Sequence, residues 1–175
     1  MVLPIVAARL LSPSSLRLFR TTPSRAQSLF TGGQRGAPQS RHIVIQTDGC
    51  LYRKSKWIQS DRAGVGVFFA PDHPDNVAVP VPVWQITPAT TLADIKHKAV
   101  TLAVLLGSWQ RQSAQQDDKI TVLTDCSDLI QPMSLAYQEH GEWLCFKHVA
   151  SDMISNADIL AEKASLSPDV TGKLL

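Results

Sequence analysis

His42-Ile43-Val44-Ile45-Gln46-Thr47-Asp48-Gly49 is an apolar run rich in β-branched residues and closed by a polar Thr-Asp-Gly. Such a run reads as a buried strand, and its polar closure predicts that the strand stops there with Asp48 at its carboxyl end. In an open α/β sheet that end is where ligands and catalytic groups gather. Lys119-Ile120-Thr121-Val122-Leu123-Thr124-Asp125 has the same form. Laid side by side, the two strands bring Asp48 and Asp125 together. Paired carboxylates oppose each other's ionisation unless a cation neutralises them, so the pair points to a divalent ion with oxygen ligands. Taken singly, each acid has a second reading as the cap of a turn or helix.

Upstream of this strand the composition changes. Six arginines (Arg9, Arg17, Arg20, Arg25, Arg35, Arg41) precede Asp48, with no lysine and no acid among them. The rest of the chain holds 11 basic residues against all 15 acids, so the alkaline sequence pI belongs to the leader and argues for no basic patch on the folded part. Residues 1–40 are arginine-rich, serine-rich and acid-free, with amphipathic segments Ala7-Ala8-Arg9-Leu10-Leu11 and Leu16-Arg17-Leu18-Phe19-Arg20. That is the composition of a mitochondrial presequence, and it predicts import into the matrix; the other reading is a basic tail that stays attached. A chain of 175 residues with 44% hydrophobic composition suits one soluble domain, and no apolar run approaches the ~20 residues of a membrane span. Residues 41–167 are assigned to that domain and 168–175 to a frayed tail.

Downstream of Gly49, residues Cys50 to Asp61 form a polar, basic connection. Arg53, Lys54, Lys56 and Arg62 there are either a phosphate-contacting patch or a solvated loop. Trp57 and Trp84 are assigned to core or edge packing in preference to base-stacking platforms. Gly64 to Ala70 reads as a strand, Pro71 to Asn76 as a turn, and Val77 to Trp84 as an edge strand because it holds Pro80 and Pro82. From a Thr90 or Thr91 cap to Ser108, the apolar spacing of Ile95, Ala99, Leu102, Ala103 and Leu106 predicts the core helix, with Asp94 in its first turn. Gln110 to Lys119 reads as a linker. A weakly amphipathic helix from about Ser127 to His140, a strand Trp143 to Val149 and a helix opening near Ser155-Asn156 complete the domain. Cys50, Cys126 and Cys145 have no zinc or C-x-x-C spacing and read as reduced thiols, the first two near each other.

This order of elements, with acids at the first and fourth strands, resembles the ribonuclease H type 1 family. Thr47-Asp48-Gly49 matches the family's first T-D-G motif, and Thr124-Asp125-Cys126 matches its T-D-S with Cys in place of Ser. His148 stands ten residues before Asp158 in Ala157-Asp158-Ile159-Leu160-Ala161-Glu162-Lys163-Ala164, as the family's loop histidine precedes its A-D-x-L-A-x-x-A helix. At the core helix the family carries Ala-Glu-Leu. Ala93-Asp94-Ile95 is the preferred match here, whereas counting from Thr91 puts Lys96 at the glutamate position. The loop after His148 also lacks the family's glycines, and only 32 residues separate Asp125 from Asp158, too few for a basic protrusion.

The resemblance covers about residues 42–166 and implies a five-stranded mixed sheet flanked by helices, three strands antiparallel and two added in parallel. It further implies that Asp48, Asp94, Asp125 and Asp158 hold two Mg²⁺ or Mn²⁺ ions, that His148 assists proton movement or product release, and that the RNA strand of an RNA/DNA hybrid is cut endonucleolytically. The alternative it leaves is a degenerate module that binds nucleic acid or serves as a structural component. The acidic domain predicts weak, salt-sensitive binding, with a protein partner supplying affinity.

Overall fold

The computed structural model describes residues 40–114 and 117–167. The presequence and frayed-tail assignments lie outside the described residues, save Ser40. Five strands form one sheet: β1 (His42–Tyr52), β2 (Arg62–Phe68), β3 (Val77–Val81), β4 (Lys119–Thr124) and β5 (Leu144–His148). Their order is β3-β2-β1-β4-β5. β2 is antiparallel to both β1 and β3, while β4 is parallel to β1 and β5 to β4. With helices α1 (Leu92–Ala114), α2 (Ser127–Ala136) and α3 (Ser155–Leu166) in the expected places, this is the ribonuclease H-like fold. No helix among the described residues is long and apolar enough to cross a membrane.

The pleat sorts side chains onto two faces. Ile45, Val65, Val67, Ile120, Val122, Leu144 and Phe146 form the core with Ile95, Ala99, Val100, Ala103 and Val104 of α1 and with Met133 of α2. The other face of β2 carries Gly64 and Gly66, against which α3 lies. A Cβ at Gly66 would overlap the Ala157 carbonyl, and one at Gly64 the Ala161 carbonyl. Where the parallel ladder begins, fully buried Asp118 accepts hydrogen bonds from the Arg41 backbone N–H (3.0 Å) and guanidinium (3.2 Å).

Several expectations are corrected. Thr-Asp-Gly does not stop β1, because β2 pairs with it through Asp48↔Gly66, Gly49↔Val65 and on to Tyr52↔Arg62. The parallel ladder with β4, by contrast, ends at Gln46↔Leu123, so Asp48 is mid-strand on one side and beyond the ladder on the other. α1 continues through Arg111 into the expected linker, whose residues to Ala114 include no proline or glycine to break it. β3 is an edge strand but ends at Val81, and Val83–Gln85 turns as a 3-10 helix. α2 ends at Ala136, where Tyr137 packs against Phe146 with ring centroids 6.0 Å apart. A 3-10 turn, Ser151–Ile154, occupies the loop after β5. Trp57 and Trp84 are not packed in the core or along an edge: they are 85% and 78% exposed.

Candidate functional site

The strand pairing puts Asp48 and Asp125 at one place for a simple reason. β4 runs parallel to β1 and stops at Thr124, so the residue after it emerges beside β1 just past the last paired residue, Gln46. α1 crosses the same end of the sheet. Ile95 is fully buried and its backbone lies so close to Gly49 that a side chain there would collide with it. The next residue, Lys96, therefore extends between the two acids. Its ammonium is 3.0 Å from Asp48 Oδ1 and 2.5 Å from Asp125 Oδ1, and all three side chains are at most 15% exposed.

The electrostatics follow from burial and this shared cation. Burial pushes the Asp48 carboxyl above its ordinary value against hydrogen bonds from Lys96 and the Gly49 N–H. Burial acts the same way on Asp125, but hydrogen bonds from Lys96 and Ser151 outweigh it and hold that carboxyl low. The Ser151 hydroxyl donates to Asp125 Oδ2 at 3.0 Å. For Lys96, burial disfavours the charge, yet hydrogen bonds to Asp125 and Asp48 and the charges of both raise its pKa above the usual lysine range. The site is thus a cluster of two carboxylates bridged by one ammonium, with Asp125 as the tighter partner.

Of the other sequence-derived residues, Asp158 joins this cleft from the first turn of α3, where it is exposed. Asp94 does not. It forms a capping box, accepting at Oδ2 from the Thr91 N–H (2.7 Å) and hydroxyl (2.8 Å), while its own N–H donates to Thr91 Oγ1 (3.2 Å). Those bonds hold its carboxyl below the ordinary range. Of the two residues weighed at the start of α1, it is Lys96 and not Asp94 that reaches Asp48 and Asp125. His148 is exposed at the end of β5, paired with Thr124, and does not line the cleft.

Sequence reading missed Glu162, which lines the cleft one helical turn beyond Asp158 and accepts a hydrogen bond from the Tyr52 hydroxyl at 3.2 Å. Its four-residue spacing from Asp158 was the available signal. The cysteines are all free, and Cys50 is directed at α3, its thiol donating to the Ala161 carbonyl at 3.1 Å.

The donor set does not fit a pair of magnesium ions. A divalent ion between Asp48 and Asp125 needs the volume that the Lys96 ammonium fills, and would face its positive charge at contact distance. Among the described residues no three His, Cys, Asp or Glu side chains are grouped to hold a metal ion.

No family model matches the chain, and no curated protein is similar to it. Among solved structures, it is similar to LC11-RNase H1 isolated from compost by a metagenomic approach, with 16% identity over 71% of this chain and 96% of that one, TM-score 0.48. It is also similar to a foamy viral protease-reverse transcriptase in complex with dsDNA, with 15% identity over 72% and 95%, TM-score 0.46. The solution structure of the PFV RNase H domain is 16% identical over 74% and 98%, TM-score 0.44. The fold assignment itself rests on the order and direction of the five strands.

Proposed function

We propose that this chain is a ribonuclease H-like module of the mitochondrial matrix that binds nucleic acid, with an RNA/DNA hybrid as its duplex, and does not hydrolyse it. The observation that carries this reading is Lys96 between Asp48 and Asp125. The carboxylates that two-metal hydrolysis needs free for its ions are bridged by the chain's own ammonium. The strand order supports the substrate class, since the family it resembles reads hybrid shape and 2′-hydroxyls, not sequence. The domain's excess of acids means that affinity is supplemented by a protein partner.

A second reading, divalent-ion-dependent hydrolysis of the RNA strand, draws on one observation: Asp158 and Glu162 line the same cleft as Asp48 and Asp125. It requires Lys96 to give up its position. The deciding experiment incubates the full chain with a labelled RNA/DNA hybrid at low salt, with and without Mg²⁺ or Mn²⁺, beside Asp48→Asn and Asp125→Asn. The binding module retards the hybrid on a gel and leaves it uncut under every condition. Metal-dependent cutting that both variants abolish overturns that reading in favour of the nuclease.

A further inference from the structure

The connection from β1 to β2 is pinned rather than loose. The Asp61 carboxylate accepts from the Arg53 guanidinium at 2.7 Å and from the Lys54 N–H at 2.6 Å. Between them Ser55 and Ile58 close a turn, with the Ser55 N–H on the Ile58 carbonyl at 3.0 Å and the Ile58 N–H on Ser55 Oγ at 3.2 Å. Trp57 sits at the tip of that turn, with the Lys56 ammonium 5.3 Å from its ring centroid. A bulky aromatic ring held out on an ordered turn loses the hydrophobic gain of burial, and folding alone does not explain it.

Trp84 belongs to the same end of the molecule. Tyr52 pairs with Arg62 and Ala63 with Val81, so the β1–β2 connection and the chain leaving β3 emerge at the same end of the strands. Arg53 then ties the two segments together, donating to the carbonyls of Thr87 (3.0 Å), Pro88 and Thr90. Its charge is spent on the fold, whereas Lys54 and Lys56 are exposed. Within a domain whose acids outnumber its bases, this end of the sheet carries Arg53, Lys54, Lys56 and Arg62 against Asp61, together with the exposed rings of Trp57 and Trp84.

Exposed aromatic faces accept any base by stacking, and neighbouring lysines accept the phosphates between bases. We propose that Trp57 and Trp84, with Lys54 and Lys56, form a platform for single-stranded nucleic acid. This rests on the reading of the domain as a nucleic-acid-binding module and adds a second contact outside the Lys96 cleft. The positive corner favours a polyanion over a second copy of this acidic domain. Stacking also needs no sequence, which suits a module that reads shape.

The test titrates the full chain with a uridine 12-mer and follows tryptophan emission. Stacking quenches the emission of the wild type, and the Trp57→Ala/Trp84→Ala double variant loses that quench and binds roughly tenfold or more weakly. Lys54→Gln/Lys56→Gln keeps the quench but flattens the salt dependence of binding. All four positions are at the surface, and an unchanged thermal midpoint verifies that each variant is folded. Equal affinity and quench in wild type and double variant overturns the platform and assigns the rings to a protein contact. The RNA/DNA hybrid run in parallel separates the two ideas: uncut, retarded hybrid beside an unaffected 12-mer sinks the platform alone, and cut hybrid sinks the module reading alone. Absence of all nucleic-acid binding sinks both.

Discussion

Lys96 lies closer to Asp125 than to Asp48, 2.5 Å against 3.0 Å, and the two carboxylates depart from their ordinary acidity in opposite directions. One lysine therefore does two jobs: it pairs tightly with the acid that follows β4 and keeps the more deeply buried acid on β1 ionised.

Removing it leaves two buried carboxylates facing each other. Lys96→Met is expected to lower the unfolding free energy by about 3 kcal/mol at neutral pH, the scale for breaking a buried pair from one side. Urea denaturation of the two proteins measures it; a loss under about 1 kcal/mol would mean the pair is solvated.

The pH dependence of that loss is fixed by the signs of the shifts. Asp125 is held below 3.8, so its contribution is present above that value and is lost as pH falls through its lowered pKa. Lys96 is raised above 10.5, so its contribution is present below that value and is lost as pH rises through its raised pKa. Asp48, raised above 3.8, opposes folding while ionised, and its protonation on acidification offsets part of the acid limb. The stability difference between wild type and Lys96→Met is therefore greatest across the neutral range and shrinks at both ends, as thermal melts at stepped pH will display.

Metal dependence should appear when the ammonium is exchanged for a carboxylate. Lys96→Glu is expected to gain saturable Mn²⁺ binding and a rise in thermal midpoint with the ion, neither seen in the wild type. Calorimetric titration of both proteins checks it, and equal Mn²⁺ binding by the two would show that Lys96 is no barrier to an ion.

Asp94 should behave as a helix cap and nothing more. Asp94→Ala is expected to cost about 1 kcal/mol of stability. Hybrid binding by gel retardation should be unchanged, and a loss of binding in a folded Asp94→Ala protein would return that carboxylate to the site.

Import is checked separately. Residues 1–41 fused to a fluorescent reporter are expected to carry it into mitochondria, and a diffuse cytosolic signal refutes the presequence.

The strands were legible because β-branched runs such as Ile43-Val44-Ile45 and Ile120-Thr121-Val122 carry their own signal, and the parallel neighbourhood of Asp48 and Asp125 followed from their matched ends. The register at α1 was not, because Ala93-Asp94-Ile95 keeps the small-acid-aliphatic order of the family while its physical role is different. Thr91 and Asp94 already had capping-box spacing, which marks Asp94 as engaged with its own helix end. The side on which Lys96 emerges depends on Ile95 sinking against Gly49, a tertiary contact without a one-dimensional trace. Trp57 and Trp84 were misjudged for a related reason: hydrophobic side chains default to the interior in a sequence, and only hydrogen bonds such as Lys54 to Asp61 reveal a turn built to hold one outside.

The bare glycines of β2 have a mechanical consequence. With Gly64 and Gly66 under the Ala161 and Ala157 carbonyls, α3 rests on the sheet without side chains as spacers and has no cushion to compress. The height at which α3, and with it the start of the helix at Asp158, sits above β2 is accordingly set by backbone contact at Gly64 and Gly66.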